Sequence, residues 1–93
     1  MAADRTPVLF VDDDEGCRRA FARSVARCGY DVTVAKNGHE AMQLAAEREY
    51  PVMVVDLRMP ETDGRTLITR LRERHPQSAF VLLTAETGLS LPP

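Results

Sequence analysis

Two apolar runs in this chain end in acid. Val8-Leu9-Phe10-Val11 leads straight into Asp12, Asp13 and Asp14, and Val52-Met53-Val54-Val55 leads into Asp56. Each run reads as a short buried strand, apolar along its length and stopped by charge. In an open parallel α/β sheet, ligands bind outside the carboxyl ends of the strands. Acids delivered there by two strands repel one another unless a cation joins them, and hard oxygen ligands suit Mg²⁺. The expected chemistry is therefore an acidic metal pocket around one special aspartate, Asp56.

The elements that must position these acids are legible in order. The helix after the first strand is expected over Glu15–Cys28. Its inward stripe is Cys17, Ala20, Phe21, Ser24, Val25 and Cys28, with most of the arginines outside it and Gly29 as the stop. Asp31–Ala35 reads as the second strand. Asn37 caps a second helix with Glu40 in the capping-box position, and Ala41, Leu44 and Ala45 face inward. The third strand, Val52–Val55, opens after Pro51. A third helix starts at Asp63 or Gly64 and turns Leu67, Ile68 and Leu71 inward, and His75-Pro76 ends it. Ala79–Leu83 is the fourth strand, followed by Thr84-Ala85 and an irregular tail over 86–93. Strands alternating with helices predict a parallel sheet covered on its faces. Right-handed crossovers then bring Asp12, Asp13, Asp14, Asp56 and Thr84 to one edge.

Composition narrows the class. The chain has 93 residues, 44% of them apolar and 28% charged, which fits one small globular domain. Its net charge of −2 speaks against direct nucleic-acid binding by this segment. No apolar run approaches the roughly 20 residues of a membrane span, and the start lacks a signal-peptide core. Cys17 and Cys28, eleven residues apart on one expected helix, are too distant for a disulfide and read as small buried or half-buried thiols. A reducing, cytoplasmic setting follows. His39 and His75 are expected at the surface. Met42, Met53 and Met59 are expected in packing.

Taken together, Val11-Asp12-Asp13-Asp14-Glu15, Val55-Asp56-Leu57-Arg58-Met59-Pro60, Asp63-Gly64 and Leu83-Thr84-Ala85 resemble the receiver domain of two-component response regulators. The resemblance runs in order from about Val8 to Ala85. The Asp-Leu-Arg-Met-Pro form is similar to receivers of sigma-54-type activators. The family implies a flavodoxin-like doubly wound parallel sheet. It also implies Asp56 as phospho-acceptor and Mg²⁺ held by Asp13 directly, by Asp12 through water, by Asp56 and by the main-chain carbonyl of Arg58. Thr84 becomes the switch hydroxyl, with Ala85 as its small neighbour. The partner is the phosphotransfer domain of a histidine kinase, docking beside the first helix. Asp14 and Glu15 are better read as acids favoured by the helix N-terminus. Met59-Pro60 and Asp63-Gly64 are read as structural, with Gly64 permitting the turn into the third helix.

One departure stands out. The family's fifth strand ends in a lysine, whereas the only lysine here is Lys36. The expectation is a receiver truncated after the fourth strand, with residues 1–93 forming the N-terminal portion of a longer protein whose output module is transcriptional. The last strand would then be an open apolar edge that favours a homodimer or an exchanged element. The competing reading is a pseudo-receiver, a dimerisation module that does not turn over phosphate. A metal-dependent phosphohydrolase fits poorly, because Arg58 occupies the position where such enzymes carry a second aspartate.

Overall fold

The computed structural model describes residues 5–59 and 62–83. Its elements run β1 (Pro7–Val11), α1 (Glu15–Arg27), β2 (Asp31–Ala35), α2 (Gly38–Glu47), β3 (Val52–Asp56), β4 (Arg58–Met59), β5 (Thr62–Asp63), α3 (Gly64–Arg74) and β6 (Ala79–Leu83). Four strands form one parallel sheet in the order β2-β1-β3-β6. The parallel sheet is the one that the alternation of elements predicted, and its order is the flavodoxin-like one that the resemblance implied. The antiparallel pair β4–β5 was not anticipated, because two-residue strands carry no periodic signal. Thr84, Ala85, Pro60 and the tail over 86–93 lie outside the described residues.

The sheet buries both faces. Leu9, Val11, Met53 and Val55 pack beneath Ala41 and Ala45 of α2 and Leu67, Ile68 and Leu71 of α3. Met59 is buried in the same cluster, and Met42 packs against it. Val8, Phe10 and Val54 face the other way and meet Phe21 of α1. The Phe10 and Phe21 rings stack with centroids 4.0 Å apart.

Local chemistry sets the helix boundaries. Asn37 Oδ1 accepts from Glu40 N at 2.8 Å, and Glu40 Oε1 accepts from Lys36 N at 2.8 Å. The expected box is thus closed one residue early, on the amide preceding the cap. Gly29 has φ +93°, and it donates to Ala26 O while Tyr30 donates to Val25 O. That is the Schellman ending, which favours glycine.

Three expectations about side chains need correction. The inward face of α1 is Arg18, Phe21, Ala22 and Val25, all half-buried, and Cys17, Ala20, Ser24 and Cys28 are exposed. The observed set keeps the i, i+3, i+4, i+7 spacing and shares Phe21, stacked on Phe10, and Val25 with the expected stripe, but it takes in Arg18, which bonds to the Asp12 main-chain oxygen, and Ala22. The cysteines are therefore surface thiols, one on the first turn of α1 and one at its C-cap. His75 is buried, not exposed. Its Nε2 donates to the Ala45 carbonyl at 2.8 Å and its Nδ1 faces Glu49 Oε1 at 3.3 Å, so it ties the end of α3 to the end of α2.

The last strand is open. β6 pairs with β3 and, among the described residues, with no other strand. Val81, Leu82 and Leu83 are 44%, 48% and 38% exposed, against 0–5% for Met53, Val54 and Val55 of β3.

Gly64 acts by close approach, not by its φ. A Cβ there would lie 2.8 Å from Leu57 Cδ2, 3.0 Å from Leu57 Cα and 3.3 Å from the Asp56 carbonyl oxygen. The start of α3 thus presses on the backbone that carries Asp56. Gly64→Ala is expected to destabilise the protein by about 1–3 kcal/mol through that overpacking, read as a fall of several degrees in Tm by circular dichroism.

Candidate functional site

The sheet order reverses direction between β1 and β3: the chain leaves β1 toward β2 and later returns to its other side as β3. The crevice at the carboxyl ends of these two strands is the topological switch point, where open α/β sheets bind ligands. Asp12 follows β1 directly and Asp56 closes β3.

Backbone bonds hold both strand ends. Asp12 N donates to Ala35 O at 3.0 Å, extending the β1–β2 ladder by one residue. On the other side, Leu57 N donates to Leu83 O at 2.9 Å. The turn into α1 is tied internally. Asp14 N donates to Asp12 Oδ1 at 3.0 Å, and Cys17 N donates to Asp14 Oδ2 at 2.9 Å. Asp14 is thereby the N-cap of α1, the structural role expected of it. The Arg18 guanidinium closes the turn by donating to the Asp12 main-chain oxygen at 2.8 Å.

Asp12, Asp13 and Asp56 converge. One carboxylate oxygen from each lies within 4.8 Å of the others. Asp12 and Asp56 are buried and Asp13 is exposed, so the cluster has a floor of two acids and an open side. Burial pushes the Asp12 carboxyl above its ordinary value of 3.8. The amide of Asp14 partly offsets this, and the Asp56 and Asp13 charges add to the rise. The Cys17 thiol is pushed up to about 11, first by its hydrogen bond to Asp14 and also by the charges of Asp12 and Asp56. It stays protonated at neutral pH and supplies no thiolate nucleophile.

Of the other residues expected in the site, Arg58 places its backbone in β4, opposite Asp63, two residues after Asp56. Thr84 falls outside the described residues. Sequence reasoning missed Arg18, which it assigned to solvent. The spacing from Asp12 to Arg18, one turn into a capped helix, was the available signal. A cleft of about 600 Å³ between α2 and α3, lined by His39, Met42, Thr66 and Arg70 among others, lies apart from the acids.

Comparison with known proteins decides the family. The model of the response regulator receiver domain matches residues 8–91. The chain belongs to the response regulator receiver family. It is 39% identical over 79 residues to the transcriptional regulatory protein SrrA of Staphylococcus aureus, covering 85% of this chain and 32% of that protein. The chain thus spans about a third of the length of this curated relative. Among solved structures, the response regulator TrrA of Thermotoga maritima, in complex with Mg²⁺ and BeF, superposes with TM-score 0.82 at 26% identity, covering 91% of this chain and 74% of that one. A response regulator of Burkholderia pseudomallei with a phosphorylated aspartic acid, a calcium ion and citrate superposes with TM-score 0.83 at 30% identity, covering 91% and 50%.

Receiver domains are signalling domains of two-component systems. As a family they act as phospho-acceptors, bind Mg²⁺ through acidic residues and interact with histidine kinases. Among the described residues of this receiver, no helix is long and apolar enough to cross a membrane.

The crowding has a measurable sign. A folded-state pKa above the unfolded value means that the folded receiver binds the Asp12 proton more tightly. Stability contributed by this group therefore rises as pH falls through the folded pKa, and is fully gained below 3.8. Asp14 acts oppositely. The Cys17 thiol and amide hold its carboxyl below 3.8, so its contribution is present above that value and lost as pH falls through the folded pKa. In chelator, Asp12→Asn is expected to melt above wild type at neutral pH, with the gap narrowing as pH falls toward 3.8. Thermal melts across pH measure this, and a gap that stays constant with pH would contradict it.

Proposed function

We propose that this receiver accepts a phosphoryl group on Asp56 from a phosphohistidine of a histidine kinase, with Mg²⁺ required. The observation that carries the reading is the convergence of Asp12, Asp13 and Asp56 within 4.8 Å at the switch point. The donor set fits the ion: three carboxylate oxygens are hard ligands, Asp13 leaves an accessible side, and crowding around Asp12 is what a cation would relieve. Asp12, Asp13, Asp56 and the main-chain carbonyl of Arg58 would hold it. Bound there, Mg²⁺ supplies charge neutralisation for the crowded carboxylate and phosphoryl oxygens.

The chain's own residues do the rest. Asp56, fixed at the end of β3, presents a carboxylate oxygen to phosphorus. The new O–P bond forms as the P–N bond of the phosphohistidine breaks, and the electron pair returns to the imidazole ring. Asp12 and Asp13 do not react; they hold the cation. Thr84 is the hydroxyl proposed to sense the product, and the arginine-rich outer face of α1 is the surface proposed for the kinase. The relatives named above, one with Mg²⁺ and BeF and one with a phosphorylated aspartic acid, support the chemistry by analogy. SrrA, a transcriptional regulatory protein, supports a transcriptional output module, and a cytoplasmic setting is proposed with it.

A second reading, a dimerisation module, draws on a different observation: the exposed apolar residues of β6. A homodimer or exchanged element would cover that edge.

Incubation with acetyl phosphate and Mg²⁺, followed by intact-mass measurement, tests the first reading. The expected result is the gain of one phosphoryl group by wild type and none by Asp56→Asn or by wild type in chelator. An unchanged wild-type mass would favour the second reading. For the edge strand, size exclusion with light scattering is expected to give a dimer. A monomer that unfolds in two-state fashion and binds no apolar dye would refute it.

A further inference from the structure

The acidic turn carries a cation that the family chemistry above does not use. Arg18 sits on the first turns of α1, and its own amide makes the first helical bond, to Asp14 O at 3.0 Å. Side chains on a helix lean toward its N-terminus. From that position the guanidinium reaches back over the cap and donates from Nη1 to the main-chain oxygen of Asp12 at 2.8 Å. It is half-buried on the inward face of α1, beside Phe21 and Ala22. No salt bridge to its side chain is seen among the described residues. The guanidinium's hydrogen bond is to a backbone acceptor, and its charge also acts on the exposed Asp14 carboxylate, helping to lower that carboxyl.

That acceptor matters. Asp12 is buried, and its carbonyl lies past the end of β1, where the strand ladder no longer supplies donors. A buried carbonyl left unpaired is costly, and a charged donor makes the stronger kind of hydrogen bond. The same peptide unit links Asp12 to Asp13, so the carbonyl that Arg18 grips sits between two of the three clustered acids.

We infer that Arg18 is a positioning residue for the acidic pocket, holding the Asp12–Asp13 peptide in the orientation that lets both carboxylates meet Asp56. The inference deepens the Mg²⁺-binding reading of this site and rests on it for its functional consequence. Its structural core, that Arg18 orders the turn, stands apart from that reading. Supporting residues of this kind typically change metal affinity by about 10–100-fold when removed.

The test compares wild type with Arg18→Ala, Arg18→Lys and Asp13→Ala in two measurements. In chelator, amide hydrogen exchange at Asp14 and Cys17 is expected to accelerate about tenfold or more in Arg18→Ala, the loss expected of one charge-assisted bond. Exchange in the β1 and β3 core should stay as in wild type, and Arg18→Lys should restore part of the protection. In the second measurement, Mg²⁺ titration by calorimetry is expected to weaken at least tenfold in Arg18→Ala, with partial rescue by lysine and loss in Asp13→Ala. Should Arg18→Ala fail to fold, Arg18→Gln replaces it in both measurements. Unchanged exchange at Asp14 and Cys17 overturns the inference whatever the metal does. A lowered Tm with wild-type Mg²⁺ affinity also overturns it, since a merely structural arginine would behave so. Failure of wild type itself to bind Mg²⁺, with the exchange result as expected, would sink the metal reading and leave the ordering role of Arg18 standing.

Discussion

The crowding of Asp12, Asp13 and Asp56 is the constraint on which this fold is organised. Two buried carboxylates and one exposed carboxylate share a space in which their oxygens lie within 4.8 Å. Such a cluster opposes folding through desolvation and mutual repulsion, and the surroundings must hold it in place. Much of the turn chemistry nearby serves that end. Asp14 caps α1 and lends its amide to Asp12, Arg18 takes the Asp12 carbonyl, and Ala35 accepts from the Asp12 amide. Repulsion of this kind is what a cation would relieve.

The two sides of the crevice are held by different means. On the β1 side the hold is polar, through the hydrogen bonds of the β1–α1 turn. On the β3 side it is steric. The missing side chain of Gly64 lets α3 approach the Leu57 backbone, and β6 clamps the strand end through the bond from Leu57 N to Leu83 O. β6 is therefore both a support for Asp56 and the exposed apolar margin of the described sheet. If that margin is covered by another chain or by further residues, coverage and the position of Asp56 become coupled through one backbone bond.

Much of the architecture was written in pattern. Apolar runs stopped by acids marked β1 and β3, the Asn37–Glu40 spacing marked the start of α2, and Gly29 marked the end of α1. Leu67, Ile68 and Leu71 faced inward as their spacing required. These features are local, set by propensity, capping and period, so a one-dimensional reading captures them. The errors were of another kind. His75 looked like a surface residue because its partners, Ala45 and Glu49, are some thirty and twenty-six positions away in sequence. The α1 face differed from the expected stripe at Arg18, which looked like a solvent residue because its bond is to the Asp12 carbonyl, outside the helix.

By itself, then, the sequence determined the order of elements, the parallel sheet and the identity of the acids at its carboxyl edge. Those properties follow from hydrophobic period and from the residues that stop each strand. Tertiary structure decided the rest: that the acids of β1 and β3 meet, that Gly64 is small because Leu57 lies against it, and that Arg18 turns inward to the Asp12 carbonyl. The physical reason is the same in each case. These are contacts between separate segments, fixed by how helices and strands pack in three dimensions, and no local rule of spacing encodes the distance between them.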